Sequence, residues 1–129
     1  MKRIFLSLLI AAASPVAAQT TAPTETPGRT EAGVSYTLPR DWTATTRGPV
    51  VTFAAPEDDL RIAVIDIGSA ADAQAATTRA WSLFAPEAGR VVRLATPAPA
   101  REGWDERVTI AYETSPNERR VVQAIALRK

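Results

Sequence analysis

The sequence predicts an α+β fold, an antiparallel sheet of about six strands with one helix packed on a face. Three observations predict it. Short segments with alternating or β-branched apolar residues indicate strands. One longer segment has apolar residues at helical spacing. Groups of Pro, Gly, Asp and Asn separate these segments and indicate turns.

The predicted strands follow from the spacing of apolar residues. Val34, Tyr36 and Leu38 alternate with Ser35 and Thr37, which is the period-two pattern of a half-buried strand. Similar reasoning applies to five further segments, so that the predicted strands lie at 34–38, 50–54, 60–67, 91–95, 107–113 and 121–127.

Two hairpins are predicted, because only short polar turns separate the second strand from the third and the fifth from the sixth. The strands 60–67 and 121–127 are apolar on both faces, which is typical of central strands. A central strand needs a neighbour on each side, yet the sequence ends at Lys129. We therefore expect a C-terminally truncated domain, the N-terminal fragment of a longer protein.

The helix is predicted to begin at Ser69 or Asp72, because either side chain can accept a hydrogen bond from a backbone N–H of the first turn. It is predicted to continue through Phe84, before Pro86 and Gly89. The side chains predicted to face the sheet are Ala73, Ala76, Ala80, Trp81 and Phe84.

Residues 1–18 have the pattern of a secretory signal peptide. Lys2 and Arg3 precede an apolar stretch at 4–13, and small residues follow up to Ala18, where we expect cleavage. The apolar stretch is about half of the roughly 20 residues that a membrane-spanning helix needs. We therefore expect an exported protein, periplasmic or secreted, with no stable membrane anchor.

The rest of the chain is predicted to contain a tether and one domain. Residues 19–32 are rich in Thr and Pro, a composition that buries little apolar surface and predicts a disordered tether. Residues 33–129 are long enough for a single α+β domain. The chain has no cysteine, so no disulfide stabilises it.

The charge of the chain excludes some partner classes. Without Lys2 and Arg3, thirteen basic residues stand against fourteen acidic ones. The two signs alternate along the sequence, whereas nucleic-acid-binding domains carry a clustered basic face. We expect no nucleic-acid partner, and the sequence leaves the oligomeric state open.

The usual catalytic motifs are missing from the sequence. The chain has no His and no Cys, so Ser-His and Cys-His pairs are excluded, as are ordinary zinc ligands. No Ser-x-x-Lys, Gly-x-Ser-x-Gly or phosphate-binding glycine loop occurs. The sequence therefore predicts a chain that is not an enzyme and needs no cofactor.

Two acidic groups are candidates for a calcium or glycosidase site: residues 57–59, and Glu102 with Asp105 and Glu106. Neither has the spacing of an EF-hand loop, and any domain offers carboxylate pairs. Their simplest interpretation is a solvated turn.

The tryptophans are the most specific candidates for a binding surface. Trp42 and Trp104 both lie beside predicted turns, where an aromatic ring can contact a ligand or an interface. The alternative is that both rings close the ends of the core. Trp81, on the helix, is predicted to be a core residue.

Two phrases of the sequence resemble a known family, the PsbP/Mog1-like domains. They are Tyr36-Thr37-Leu38-Pro39-Arg40-Asp41-Trp42 and Glu102-Gly103-Trp104-Asp105-Glu106. The resemblance implies an antiparallel sheet flanked by helices that acts by binding. Residues 34–129 are similar to the module that precedes the catalytic domain in some exported serine hydrolases of the β-lactamase and penicillin-binding family. No catalytic residue of that family matches a position here.

These observations predict a non-catalytic exported accessory module, with a hydrolase domain as its partner in the same polypeptide. The alternative is a stand-alone periplasmic protein that binds a small apolar or cell-wall ligand near Trp42 and Trp104.

Overall fold

The computed structural model describes residues 17–129. The predicted signal peptide therefore lies almost entirely outside the described residues. The elements, in chain order, are β1 (Ala18–Thr21), β2 (Thr26–Arg29), β3 (Ser35–Leu38), β4 (Thr43–Arg47), β5 (Val50–Ala54), β6 (Arg61–Ile65), α1 (Ala73–Phe84), β7 (Val92–Ala98), β8 (Glu106–Tyr112) and β9 (Gln123–Arg128).

The first half of the chain forms a four-stranded antiparallel sheet in the order β1-β4-β5-β6. The hairpin predicted between the second and third strands is confirmed, because β5 pairs with β6 from Val50 opposite Ile65 to Ala54 opposite Arg61. The turn predicted at 40–42 is also present. Trp42 donates its backbone N–H to the Pro39 carbonyl, and Asp41 has the positive φ that such a turn requires.

A two-stranded hairpin, β2-β3, covers one face of this sheet. Its Leu38 joins a buried cluster with Ala22, Ala44, Val51 and Phe53. The ring of Tyr36 lies directly over Gly28, its cross-strand partner, and packs against Phe53 with the ring centroids 4.7 Å apart. A glycine opposite an aromatic residue is a known device for pinning register, because only a position without Cβ leaves room for the ring.

The helix α1 begins and ends as its sequence predicts. The Asp72 side chain caps it by accepting a hydrogen bond from the Ala75 N–H at 2.7 Å. Trp81 contacts Phe84 within the helix, and it meets Tyr112 of β8 edge-to-face at 5.5 Å between ring centroids. The helix therefore packs on the sheet through an aromatic contact as well as through its alanines.

The second half of the chain forms a three-stranded antiparallel sheet in the order β7-β8-β9, and α1 packs on it. The predicted hairpin between the last two strands is confirmed, from Glu106 opposite Arg128 to Ala111 opposite Gln123. Ile110 is the most deeply buried large side chain among the described residues, with 1% of its surface exposed.

The fold is α+β, as predicted, but its strands form three sheets and not one sheet of six strands. The sequence prediction missed β4, whose Thr-rich sequence lacks large apolar residues. It also placed 60–67 and 121–127 in central positions, which is wrong, because β6 and β9 are outer strands. Apolar residues on both faces predict a central strand only if both faces are covered. In β9 one face is exposed to solvent, as Ile125 and Leu127 show.

The segment 19–32, for which composition predicts a disordered tether, contains most of β1 and all of β2. Backbone hydrogen bonds order it, and they do not depend on side-chain type: Ala22 donates to the Trp42 carbonyl and accepts from the Asp41 N–H. Ala22 itself is buried. Over residues 17–129, no helix has the length and apolar character needed to cross a membrane.

Candidate functional site

The face of the three-stranded sheet opposite α1 is not covered by any element that the structure describes. Side chains alternate between the two faces of a strand, so Ile110 and Tyr112 point to the helix while their neighbours point away. Strand pairing places the outward residues side by side. This open face consists of Leu94, Thr96, Ala98, Arg107, Thr109, Ala111, Gln123, Ile125 and Leu127.

Three large apolar side chains stand on the open face. Leu94 is 57% exposed, Ile125 is 54% exposed and Leu127 is 44% exposed. Thr109 lies between Thr96 and Ile125, and Arg107 lies beside Leu127. A surface of apolar side chains mixed with hydroxyl groups and an arginine has the character of a protein–protein interface.

Trp104 lies at the start of the final hairpin, as predicted, and is half-buried. Its backbone forms a bridge with Arg101, with N–H to carbonyl distances of 3.0 and 3.1 Å. The Lys129 Nζ stands 5.0 Å from the centroid of its ring, within the range of a cation–π contact. A lysine of the same chain thus lies over one face of this ring.

Trp42 is half-buried and packs against the cluster between β2-β3 and the four-stranded sheet. Its backbone carbonyl accepts the Ala22 N–H, so the residue closes one end of that cluster. Trp104 belongs to the other half of the chain, and no aromatic contact among the described residues joins the two rings. The structure therefore does not bring the two predicted contact residues into one site.

A small cleft lies between the start of α1 and the end of β9, with a volume of about 70 Å³. Ala73 and Ala76 of the helix and Ala126 of the strand form its floor, and the ion pair between Glu106 and Arg128 stands at its edge. Neither Trp42 nor Trp104 lines this cleft.

One ion pair is partly shielded from solvent, with 20% of the Arg90 side chain and 30% of the Glu118 side chain exposed. Arg90 Nη1 lies 2.8 Å from Glu118 Oε1, and the Glu118 carboxylate also accepts the Ser115 backbone N–H at 2.9 Å. The hydrogen bond from Arg90 lowers the pKa of Glu118, and the same bond raises the pKa of Arg90. This pair ties the segment before β7 to the loop between β8 and β9, so its role is structural.

Three of the six acidic residues singled out in the sequence form ion pairs. Asp58 binds Arg61 through both carboxylate oxygens, Glu102 lies near Arg101, and Glu106 binds Arg128. Within residues 17–129, no group of three or more His, Cys, Asp or Glu side chains is placed to hold a metal ion.

No protein-family model, characterised protein or solved structure matches this chain at a significant level.

Proposed function

We propose that this chain is a non-catalytic, exported accessory module that acts by binding a protein. The observation that carries the proposal is the open face, where Leu94, Ile125 and Leu127 remain exposed, whereas Ile110 and Tyr112 are buried on the face toward α1. Ile125 and Leu127 are adjacent on β9, and Leu94 lies two strands away on β7. Exposed apolar side chains on one sheet face are typical of surfaces that a partner covers.

The partner that we propose is a serine hydrolase domain of the β-lactamase and penicillin-binding type. The support is the resemblance of residues 34–129 to PsbP/Mog1-like modules that precede such domains, together with the export pattern at 1–18. The α+β fold with a helix on one sheet face is consistent with that resemblance. The module would position the hydrolase and would contribute no catalytic group.

The alternative of a small-ligand-binding protein has weaker support. It needs a cavity near Trp42 and Trp104, whereas the cleft beside α1 holds about 70 Å³ and neither ring lines it.

The partner is tested in two steps. The reading frame that follows the Lys129 codon, or the adjacent gene, should encode a domain with Ser-x-x-Lys. That domain, produced separately, should bind this chain in isothermal titration calorimetry. Absence of binding to any hydrolase encoded in the same reading frame or beside it would contradict the proposal.

The surface is tested with a matched pair of variants. Leu127 and Leu83 are both 44% exposed, but Leu127 lies on the open face and Leu83 on the helix. We expect Leu127→Glu to weaken binding of the hydrolase domain at least about tenfold, because it places a charge in an apolar contact. Leu83→Glu should leave the affinity within about twofold. Equal losses in both variants would show that the open face is not the binding surface.

Catalysis is tested directly on the same protein. The purified chain should not hydrolyse a chromogenic β-lactam or ester above the rate of a buffer control. Turnover that persists after repeated purification would contradict the assignment as a non-catalytic module.

A further inference from the structure

The outer strands of the sheets differ in how they are protected against pairing with another strand. Proline on an outer strand removes a backbone donor and is a common form of protection. Pro97 lies in β7 and Pro27 in β2, whereas β6 and β9 contain no proline. The outer strands β1 and β3 also lack proline, but each has only four residues. Among the described outer strands without proline, β6 and β9 are therefore the longest, with five and six residues.

The outer edge of β9 presents the backbone of three residues. Tyr112 donates its N–H to the Val122 carbonyl at 3.1 Å, so this opposed pair is hydrogen-bonded. In an antiparallel ladder such pairs recur every second residue. The N–H and C=O groups of Gln123, Ile125 and Leu127 therefore point away from β8, and no described strand pairs with them.

The outer edge of β6 has the same form. Ala55 donates its N–H to the Leu60 carbonyl at 3.0 Å, and Asp66 donates to the Pro49 carbonyl at the other end of the ladder. By the same alternation, the backbone groups of Arg61, Ala63 and Ile65 point away from β5. Each edge thus offers three residues that can form hydrogen bonds to another strand.

The residues that flank the two edges have opposite charges. Acidic residues stand on both sides of β6, at 57–59 and at Asp66, and Asp58 among them is paired with Arg61 of the strand. Basic residues stand before β9 at 119–120 and at its end, where Arg128 is paired with Glu106 and Lys129 follows. Pairing β9 with a second β9, or β6 with a second β6, brings like charges together at both ends. Pairing β6 with β9 brings opposite charges together.

We propose that the β6 edge of one copy of this chain pairs with the β9 edge of a second copy. Every described strand pair is antiparallel, and we assign the same direction here. The register that uses all outward backbone groups places Ala63 opposite Ile125. It also places Asp59 opposite Lys129.

This register aligns the covered faces of the two sheets. Residues opposed in an antiparallel pair have side chains on the same face. Ile62 then lies beside Ala126, and Val64 beside Ala124. Val64 packs against the cluster under the β2-β3 hairpin, and Ala126 lines the cleft under α1. The two cores therefore become continuous, and Ile62, which is exposed in a single copy, gains a neighbour.

The contact is heterologous, since each copy supplies a different edge. It uses the backbone edge of β9 and leaves the open face available to another partner. The association can therefore be measured on this chain without a hydrolase domain.

Two proline variants test it. In Ala63→Pro and Ile125→Pro the lost N–H is one that points outward, so the internal ladders keep their hydrogen bonds. The full chain is expressed, and the purified protein is analysed by sedimentation velocity over a concentration series. Wild type should associate. Each variant alone should associate at least about tenfold more weakly.

Mixing the two variants gives the decisive result. The copy with Ile125→Pro still has an intact β6, and the copy with Ala63→Pro still has an intact β9. An equimolar mixture should therefore form a dimer that neither variant forms alone. Wild-type protein that stays monomeric up to its solubility limit would overturn the proposal. So would Ala63→Pro protein that still dimerises alone, because that dimer would use two β9 edges.

Far-UV circular dichroism shows whether each proline variant is folded. A charge exchange at Asp59 and Lys129 provides a second test that leaves the strands unchanged. Asp59→Lys and Lys129→Glu should each weaken association up to about fivefold, as expected for an exposed ion pair, and the double variant should recover it. Failure of the double variant to recover would contradict the assigned register.

Discussion

Replacing Gly28 by alanine is expected to destabilise the N-terminal half of the chain, although alanine normally stabilises a strand relative to glycine. A Cβ at this position would lie 2.6 Å from the Tyr36 hydroxyl oxygen and closer still to two ring carbons. Nonbonded carbon atoms are normally about 3.5–4.0 Å apart. The ring must therefore move by about 1 Å or more.

The expected loss follows from the contacts of that ring. Tyr36 packs against Phe53 at 4.7 Å between centroids, and such aromatic pairs contribute about 0.5–1.5 kcal/mol beyond buried area. Forcing an extra methyl group into a packed site costs about 1–3 kcal/mol in all. The backbone gain of alanine over glycine offsets about 0.5–1 kcal/mol. We expect Gly28→Ala to lower the free energy of unfolding by about 1–2 kcal/mol.

The measurement is thermal or urea unfolding followed by circular dichroism, in which 1 kcal/mol corresponds to about 4–8 °C for a domain of this size. A double-mutant cycle with Tyr36→Ala isolates the steric cause. Once the ring is absent, Gly28→Ala should be neutral or stabilising. The reasoning would be refuted by an equal loss of stability in the two backgrounds.

Three further predictions concern the C-terminal half. The pKa of Glu118 is lowered by Arg90, so this ion pair stabilises the fold above the ordinary glutamate pKa and its contribution disappears as the pH falls through the lowered value. Glu118→Gln should therefore flatten the acidic side of a stability–pH curve, and an unchanged slope would contradict this. Asp72→Ala should cost about 1 kcal/mol by removing the helix cap, whereas Asp72→Asn should retain most of the stability. Ile110→Val should cost about 0.5–1.5 kcal/mol, and Ile125→Val, at an exposed position, less than about 0.5 kcal/mol, in urea unfolding of monomeric protein. Equal effects of the two valine substitutions would show that the assigned faces are wrong.

Local patterns predicted the elements that bury large side chains. The bounds of β5 match the predicted strand at 50–54, and the helix begins at the predicted cap, Asp72. The strands that were missed, β1, β2 and β4, contain no large apolar side chain: β1 and β4 are rich in Thr, and β2 consists of Thr, Pro, Gly and Arg. Hydropathy patterns contain little information on such strands, since a threonine-rich segment resembles a loop until its partner is known.

The candidate site was less predictable than the fold. The aromatic character of Trp42 and Trp104 made them candidates, but the structure separates them and places Lys129 beside Trp104. The open face depends on which side of the sheet α1 covers, and that is a property of the tertiary arrangement. The charges that flank β6 and β9 are visible in the sequence. They suggest pairing between these two strands only once the structure places both at the edges of their sheets.

The two strands that misled the sequence prediction are the same two that the proposed association joins. Segments 60–67 and 121–127 have the composition of central strands, but β6 and β9 each have a neighbour on one side only. Pairing them between two copies gives each strand a second neighbour. It also produces a continuous sheet in the order β1-β4-β5-β6-β9-β8-β7, with the hairpin β2-β3 and the helix α1 on one face. Ile62 and Val64 then gain neighbours on the covered face, whereas Ile125 and Leu127 remain on the open face, which the association does not cover.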